Sequence, residues 1–137
     1  MKKVLIFSLL MAALLLAGCS AAAEPDASEG GYTSISVADL SEMMASRRDS
    51  FLLVNTHIPF EGDLPTTDFS VAYNALSQNL DLFPTDKNAE IVLYCMNDPM
   101  SLIAAEQLVT AGYSNVKVLA GGMNAWQSAG LILEMEP

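Results

Sequence analysis

Cys95 stands at a position where a cysteine can do chemistry. The apolar run Ile91–Tyr94 precedes it, a loop over residues 95–100 follows, and a helix is predicted to begin near Ser101. In open α/β sheets, functional groups lie at the carboxyl ends of strands. The N–H groups and the dipole at the start of a helix create positive potential there. This setting stabilises an anion on sulfur, either a thiolate or a persulfide.

The cysteine count leaves Cys95 without a partner in the chain. The sequence has two cysteines, Cys19 and Cys95, and the first belongs to a different motif. A lone thiol in an exported protein is a candidate reactive group. The alternative is a buried structural thiol, since cysteine is common in protein cores.

Metal and cofactor sites have little support in the sequence. With one histidine and one unassigned cysteine, no metal cluster can be assembled, and we expect no cofactor. Met96 and Met100 flank Cys95, so a soft copper(I) site is a minor alternative.

The N-terminus predicts export and a lipid anchor. Lys2 and Lys3 precede an apolar run over residues 4–16, which is short for a membrane span of about 20 residues and suits a signal peptide. Residues 16–19, LAGC, resemble the lipobox of bacterial lipoproteins. The resemblance implies cleavage after residue 18 and a diacylglyceryl group on Cys19, with further acyl chains such as palmitate securing the anchor. A plain signal peptide with a chance cysteine is the alternative.

Composition divides the rest of the chain into a tether and one domain. Residues 19–31 are small and acidic and predict a flexible tether, and residues 32–137 suffice for one modest core. The net charge is −10, and without Lys2 and Lys3 it is −12, from 4 basic and 16 acidic residues. Such a surface repels nucleic acid and anionic headgroups, so membrane contact is assigned to the lipid alone. We expect a cell-membrane or outer-membrane protein facing the periplasm or the exterior. If the organism has two membranes, the resemblance to lipoprotein sorting signals at Ser20 favours the outer one.

The apolar pattern predicts an α/β domain. Strands are expected at residues 33–35, 51–54, 69–73, 91–94 and 116–119, and helices at 37–45, 75–82, 101–111 and 123–129. Continuous apolar runs indicate parallel strands covered on both faces. The alternation indicates right-handed crossovers. Ser36 is the predicted N-cap of the first helix, with Asp39 as its capping-box partner, and Trp126 is expected in the core.

Three segments resemble the rhodanese family. They are the loop at residues 95–100, the stretch VLAGGMNAW at 118–126 with Gly130 beyond it, and the turn GDLPTT at 62–67 in place of a Gly-His-Ile-Pro-Gly-Ala type turn. The resemblance covers about residues 34–133. It implies an open parallel sheet of about five short strands, flanked by helices on both faces.

The resemblance also implies a reaction. Rhodaneses take a sulfane sulfur from a donor such as thiosulfate, hold it as a cysteine persulfide and pass it to a nucleophile such as cyanide or a thiol. Cys95 would be the nucleophile and sulfur carrier. The anion would lie in a loop whose backbone N–H groups bind it, formed by Met96, Asn97, Asp98, Met100 and Ser101.

Departures from the family pattern shape the functional prediction. The loop lacks Arg and Lys, Asp98 is its only charge, and Met100 replaces a common Arg. These changes favour a thiol-bearing donor over thiosulfate. They also support the alternative of a catalytically inactive rhodanese-fold module, tethered as a binding or structural part of an envelope complex. A cysteine phosphatase is excluded because Ser101 stands where its Arg is required.

Two further departures lie upstream of the loop. The sequence has Asn55-Thr56-His57 in place of an Asp-x-Arg pair, and Asp63 in place of the histidine of the turn. His57 is predicted either to shuttle protons near Cys95 or to be a loop residue with a satisfied hydrogen bond.

Overall fold

The computed structural model describes residues 28–136. The predicted signal peptide, the lipidation site Cys19 and most of the predicted tether lie outside these residues. Among the described residues, no helix has the length and apolar character needed to cross a membrane.

A six-stranded sheet forms the centre of the domain. Its strands are β1 (Ser28–Glu29), β2 (Tyr32–Ile35), β3 (Leu52–Asn55), β4 (Phe69–Ser70), β5 (Ile91–Tyr94) and β6 (Val116–Leu119). The order across the sheet is β1-β2-β6-β5-β3-β4, and only the β1–β2 pair is antiparallel. The five parallel strands confirm the predicted fold class. The strand predicted at 69–73 is shorter, ending at Ser70.

The antiparallel strand β1 falls inside the segment predicted to be a tether. Gly30 and Gly31 connect it to β2, and both have positive φ, at 66° and 89°. Tight two-residue hairpins favour glycine because their central residues adopt such angles. The Gly-Gly pair therefore makes a turn, and β1 adds the last residues of the predicted tether segment to the edge of the sheet.

The described chain has three α-helices: α1 (Val37–Arg47) between β2 and β3, α2 (Pro99–Thr110) between β5 and β6, and α3 (Gly122–Ser128) after β6. The capping box of Ser36 and Asp39 is present at the start of α1, as predicted. Short 3-10 turns occupy Arg48–Ser50, Leu76–Gln78 and Leu80–Leu82.

The prediction of an α-helix over residues 75–82 is wrong, since two 3-10 turns occupy this segment. The side-chain amide of Asn79 donates to Ala75 O at 2.7 Å, and the Asn79 backbone N–H donates to Leu76 O instead. The side chain thus takes the carbonyl that an α-helix would use, a known way for Asn to compete with helix formation.

Helices cover both faces of the sheet, as predicted. Ala104, Ala105 and Leu108 of α2 pack in one cluster with strand residues such as Leu93 and Val118. On the other face, Leu40 of α1 and Met123 and Trp126 of α3 pack with Val92 and Tyr94. Neighbouring residues of β5 thus point to opposite faces. Trp126 is a core residue, as expected.

Candidate active site

Cys95 lies directly after β5, in the middle of the sheet, and its side chain is fully buried at 0% exposure. Helix α2 begins at Pro99 rather than near Ser101. Met100 and Ser101 therefore belong to the first turn of α2, and the connecting loop is shorter than the six residues expected. Proline suits the first helical position because its missing N–H would have no partner within the helix.

The Ser101 hydroxyl lies within hydrogen-bonding distance of the Cys95 sulfur. Cys95 Sγ and Ser101 Oγ lie 3.5 Å apart, and Ser101 Oγ also donates to Asp98 O at 2.9 Å. A hydroxyl has one proton to donate. With a thiol, the S–H can donate to Ser101 while Ser101 donates to Asp98. With a sulfur anion, the hydroxyl proton can turn to sulfur, and Leu102 N–H still bonds Asp98 O at 3.1 Å.

The backbone of the loop is held by the start of α3. Met123 N–H donates to Cys95 O at 2.8 Å, and Asn124 N–H donates to Met96 O at 2.9 Å. In a trans peptide the N–H points opposite to the C=O of the same unit. The N–H groups of Met96 and Asn97 therefore point away from α3.

Donors in the loop remain free for an anion. Among the described residues, no hydrogen bond uses the backbone N–H groups that follow Cys95 up to Ser101. Together with the dipole of α2, such groups favour negative charge. The residues with a free N–H are Met96, Asn97, Asp98, Met100 and Ser101.

The carboxylate of Asp98 is engaged in the turn before α3. Its Oδ1 accepts a hydrogen bond from Gly121 N–H at 2.8 Å, and the side chain does not cap α2. The one charge of the loop therefore links two segments that are distant in sequence, in addition to any repulsion it exerts on an anion.

Gly122 allows the two segments to approach closely. A Cβ at this position would lie 2.2 Å from Cys95 O and 2.8 Å from Asn97 O, and its φ is 52°. Both values exclude a side chain. Sequence reasoning missed that Gly122 lets the Cys95 loop approach α3, and the one signal for it was the pair of glycines before a short helix.

The two upstream departures from the family pattern bond to each other. Asn55 Nδ2 donates to Asp63 Oδ1 at 2.8 Å and to Gly62 O at 3.1 Å. The Tyr94 hydroxyl donates to the same carboxylate oxygen at 3.0 Å and accepts from Leu64 N–H at 3.0 Å. Burial raises the pKa of Tyr94 well above its ordinary value. Asn55 and Asp63 are thus a matched donor and acceptor that hold the turn beside β5.

His57 lies at the same edge of the sheet as Cys95. Thr56 N–H and Oγ1 both bond Tyr94 O, at 2.8 and 2.9 Å, so the chain leaves β3 and β5 side by side. His57 Nε2 lies 2.5 Å from Glu61 Oε2, and the histidine side chain is 8% exposed. Its Nδ1 is buried and has no partner among the described residues. One ring nitrogen is therefore satisfied and the other is not, and a proton-shuttle role stays a prediction.

The described residues contain no group of three His, Cys, Asp or Glu side chains that could hold a metal ion. The chemistry that this arrangement supports directly is that of a sulfur nucleophile beside a hydroxyl and free N–H donors.

Comparisons with known proteins define the class. The model of the Rhodanese-like domain family matches residues 53–129, so the chain belongs to that family. An uncharacterized protein of Synechocystis sp. is 31% identical over 101 residues, which are 72% of this chain and 55% of that protein. The chain thus spans about half the length of this relative.

Solved structures agree on the fold. A rhodanese-related protein of Thermoplasma volcanium has a TM-score of 0.62 at 24% identity, over 75% of this chain and 98% of that one. A human single-domain sulfurtransferase has a TM-score of 0.61 at 18% identity, over 69% of this chain and 95% of that one.

Proposed function

We propose that this rhodanese-like protein is a sulfurtransferase or sulfur carrier that forms a persulfide on Cys95. The observation that carries the proposal is the position of the sulfur. Cys95 Sγ lies 3.5 Å from a hydroxyl, at the start of a loop and helix whose first N–H groups are free. Such donors stabilise negative charge that develops on sulfur during transfer.

The reaction is a pair of thiol exchanges. The Cys95 thiolate attacks the outer sulfur of a thiol persulfide, the S–S bond of the donor breaks, and the donor leaves as a thiolate. Cys95 then carries a persulfide anion. A second thiolate attacks its outer sulfur, and Cys95 leaves as a thiolate. Each step forms one S–S bond and breaks another, so no external oxidant or reductant is required.

Charge supports a thiol persulfide rather than thiosulfate as the donor. The segment from Cys95 to Ser101 has no cation, and the whole chain has a net charge of −10. Thiosulfate is a dianion and leaves sulfite behind, so both substrate and product would be repelled. A persulfide on an uncharged or cationic carrier is repelled less by the acidic protein.

The proposal places the reaction in the bacterial envelope. Lipidation of Cys19 would anchor the domain in the cell membrane or the outer membrane, facing the periplasm or the exterior. The support for this part is the sequence of residues 1–19.

A second candidate is a rhodanese-fold module without activity, used for binding in an envelope complex. The full burial of Cys95 favours it, because a donor must reach a sulfur that is 0% exposed. This candidate predicts a thiol that reacts slowly with donors and with alkylating reagents.

Mass spectrometry after exposure to sulfane donors tests the proposal. We expect cysteamine persulfide, whose carrier is cationic, to add one sulfur atom to the wild-type protein and none to Cys95→Ser. Thiosulfate should react more slowly. If neither donor adds sulfur to Cys95, the proposed activity is wrong and the binding module is the better account.

A further inference from the structure

Exposed apolar side chains are concentrated in two segments of the described chain. Five of the seven large apolar side chains that are exposed there lie at positions 58–60 and 131–135, and Ile132 and Met135 are 79% and 65% exposed. We call this set the apolar patch. Its members are Ile58, Phe60, Leu131, Ile132 and Met135.

The second segment lies against residues 62–63, which closely follow the first segment. Asp63 and Glu134 exchange two backbone hydrogen bonds, each of 2.8 Å. A Cβ on Gly62 would lie 3.1 Å from Met135 Sδ. Trp126 Nε1 donates to Ile132 O at 3.0 Å and ties the second segment to the core. The patch is therefore one region of surface with a fixed backbone.

The apolar patch borders the edge of the sheet that carries Cys95. Its first segment follows the carboxyl end of β3, where Asn55 pairs with Tyr94 immediately before Cys95. Its second segment follows α3, the helix whose first turn bonds the Cys95 loop. A molecule that covers the patch thus contacts the segments that directly follow β3 and α3, two elements that adjoin Cys95 or its loop.

The charged rim of the patch is acidic. Glu61, Glu134 and Glu136 are exposed within or next to its two segments, and neither segment contains a Lys or Arg.

The cations of the described chain lie near the opposite, amino-terminal edge of the sheet. Arg47 and Lys117 pair with Glu90, which precedes β5, and Arg48 pairs with Asp68, which precedes β4. The fourth cation is Lys87, whose carbonyl accepts from Ser114 N–H before β6.

We infer that the apolar patch docks a protein partner with an apolar contact centre ringed by Lys or Arg, which presents the thiol that exchanges sulfur with Cys95. The sulfur part of this inference rests on the proposed function, and the docking part does not. A second copy of this chain would bring a second acidic rim, and like charges oppose that pairing. An anionic lipid surface is also disfavoured, because its negative headgroups would meet the acidic rim.

A pair of probe peptides tests the docking. One is amphipathic, with a single Cys in a Leu-rich face flanked by Lys, and its twin has Glu in place of Lys. We expect the Lys peptide to bind at least about 10-fold more tightly than the Glu peptide in low salt, because its positive charges attract the acidic rim of the patch. The advantage should shrink in about 0.5 M salt, because salt at that concentration screens charges that are more than a few ångströms apart. Cys→Ser versions, followed by fluorescence anisotropy, measure binding alone.

Matched variants locate the binding. Phe60→Ser with Ile132→Ser should weaken binding of the Lys peptide about 10-fold, since central apolar contacts contribute most to affinity. Leu82→Ser with Ile103→Ser removes the other two large apolar side chains that are exposed among the described residues, and should leave binding unchanged. Equal binding of both peptides, or equal effects of both pairs of substitutions, overturns the inference.

Other occupants give other results. Patch-dependent binding to phosphatidylcholine vesicles, patch-dependent dimerisation, or preference for a peptide of residues 4–16 would each overturn the inference if the Lys peptide shows no preference. The sulfur chemistry is separable. If Ser peptides bind but Cys95 never accepts sulfur, docking stands and the proposed function fails. If persulfide passes to small thiols with no peptide preference, the reverse holds.

Discussion

Replacing Asp98 by Asn or by Ala separates two roles of its carboxylate, holding the Cys95 loop and repelling charge from it. Asp98 Oδ1 accepts from Gly121 N–H at 2.8 Å. Asparagine keeps an oxygen acceptor of the same shape and loses the charge. Alanine loses both. The difference between the two variants therefore reports on the hydrogen bond.

The geometry sets the size of the effects. A hydrogen bond of this length to a charged group contributes about 1.5–3 kcal/mol, and a neutral one contributes about 1 kcal/mol. Asp98→Ala should lower the free energy of unfolding by about 2 kcal/mol and Asp98→Asn by about half as much. Loss of the link should also misplace the free N–H donors after Cys95. Each donor lost to a sulfur anion should slow the reaction of Cys95 about 10-fold, since one hydrogen bond to a charged group contributes about 1.5 kcal/mol.

The assay is the rate at which a persulfide donor adds sulfur to Cys95 at a fixed pH, followed by mass spectrometry. We expect Asp98→Asn to react at least as fast as the wild type, because a negative charge is gone. Asp98→Ala should react about 10-fold more slowly than Asp98→Asn, because the loop has lost its link to Gly121. If both substitutions raise the rate equally, Asp98 acts through its charge alone and the positioning argument is refuted.

Three other changes test separate parts of the molecule. Ser101→Ala should slow persulfide formation about 10-fold, the cost of one lost hydrogen bond to the sulfur anion, and unchanged rates in stopped reactions followed by mass spectrometry would remove the hydroxyl from the mechanism. Gly122→Ala should cost more than about 3 kcal/mol in urea denaturation, because its Cβ would lie 2.2 Å from Cys95 O, whereas Gly130→Ala, with open space around it and φ of 81°, should cost about 1–2 kcal/mol. Cys19→Ala should abolish labelling by a palmitate analogue and release the domain from membranes, and retained labelling would contradict the lipobox interpretation.

The central strands and the position of Cys95 could be predicted because they depend on local pattern. Apolar runs at 91–94 and 116–119 mark buried parallel strands with their correct bounds. Helix α2 begins two residues before its predicted start near Ser101, because Pro99 is favoured at a first helical position. The segment 75–82 has helical spacing, but one Asn79 side-chain bond redirects it.

The parts of the site that the sequence did not show are long-range contacts. Asp98 and Gly121 are 23 positions apart, and their bond depends on how α3 meets the loop. In the sequence, Asn55 and Asp63 are two separate departures from the family pattern. Only the hydrogen bond of 2.8 Å between their side chains shows that they form a pair.

The Ser101 hydroxyl has a single proton, which can bond either to the Cys95 sulfur or to the backbone carbonyl of Asp98 in the loop. The charge on sulfur therefore affects how the loop is held. When the proton turns to a sulfur anion, Asp98 O keeps only the N–H of Leu102. The thiol form and the persulfide form of the domain therefore differ in how firmly the start of α2 is fastened. We expect the amide of Leu102 to exchange its hydrogen at different rates in the two forms. The surface that a partner meets before sulfur transfer is then dynamically distinct from the one it leaves.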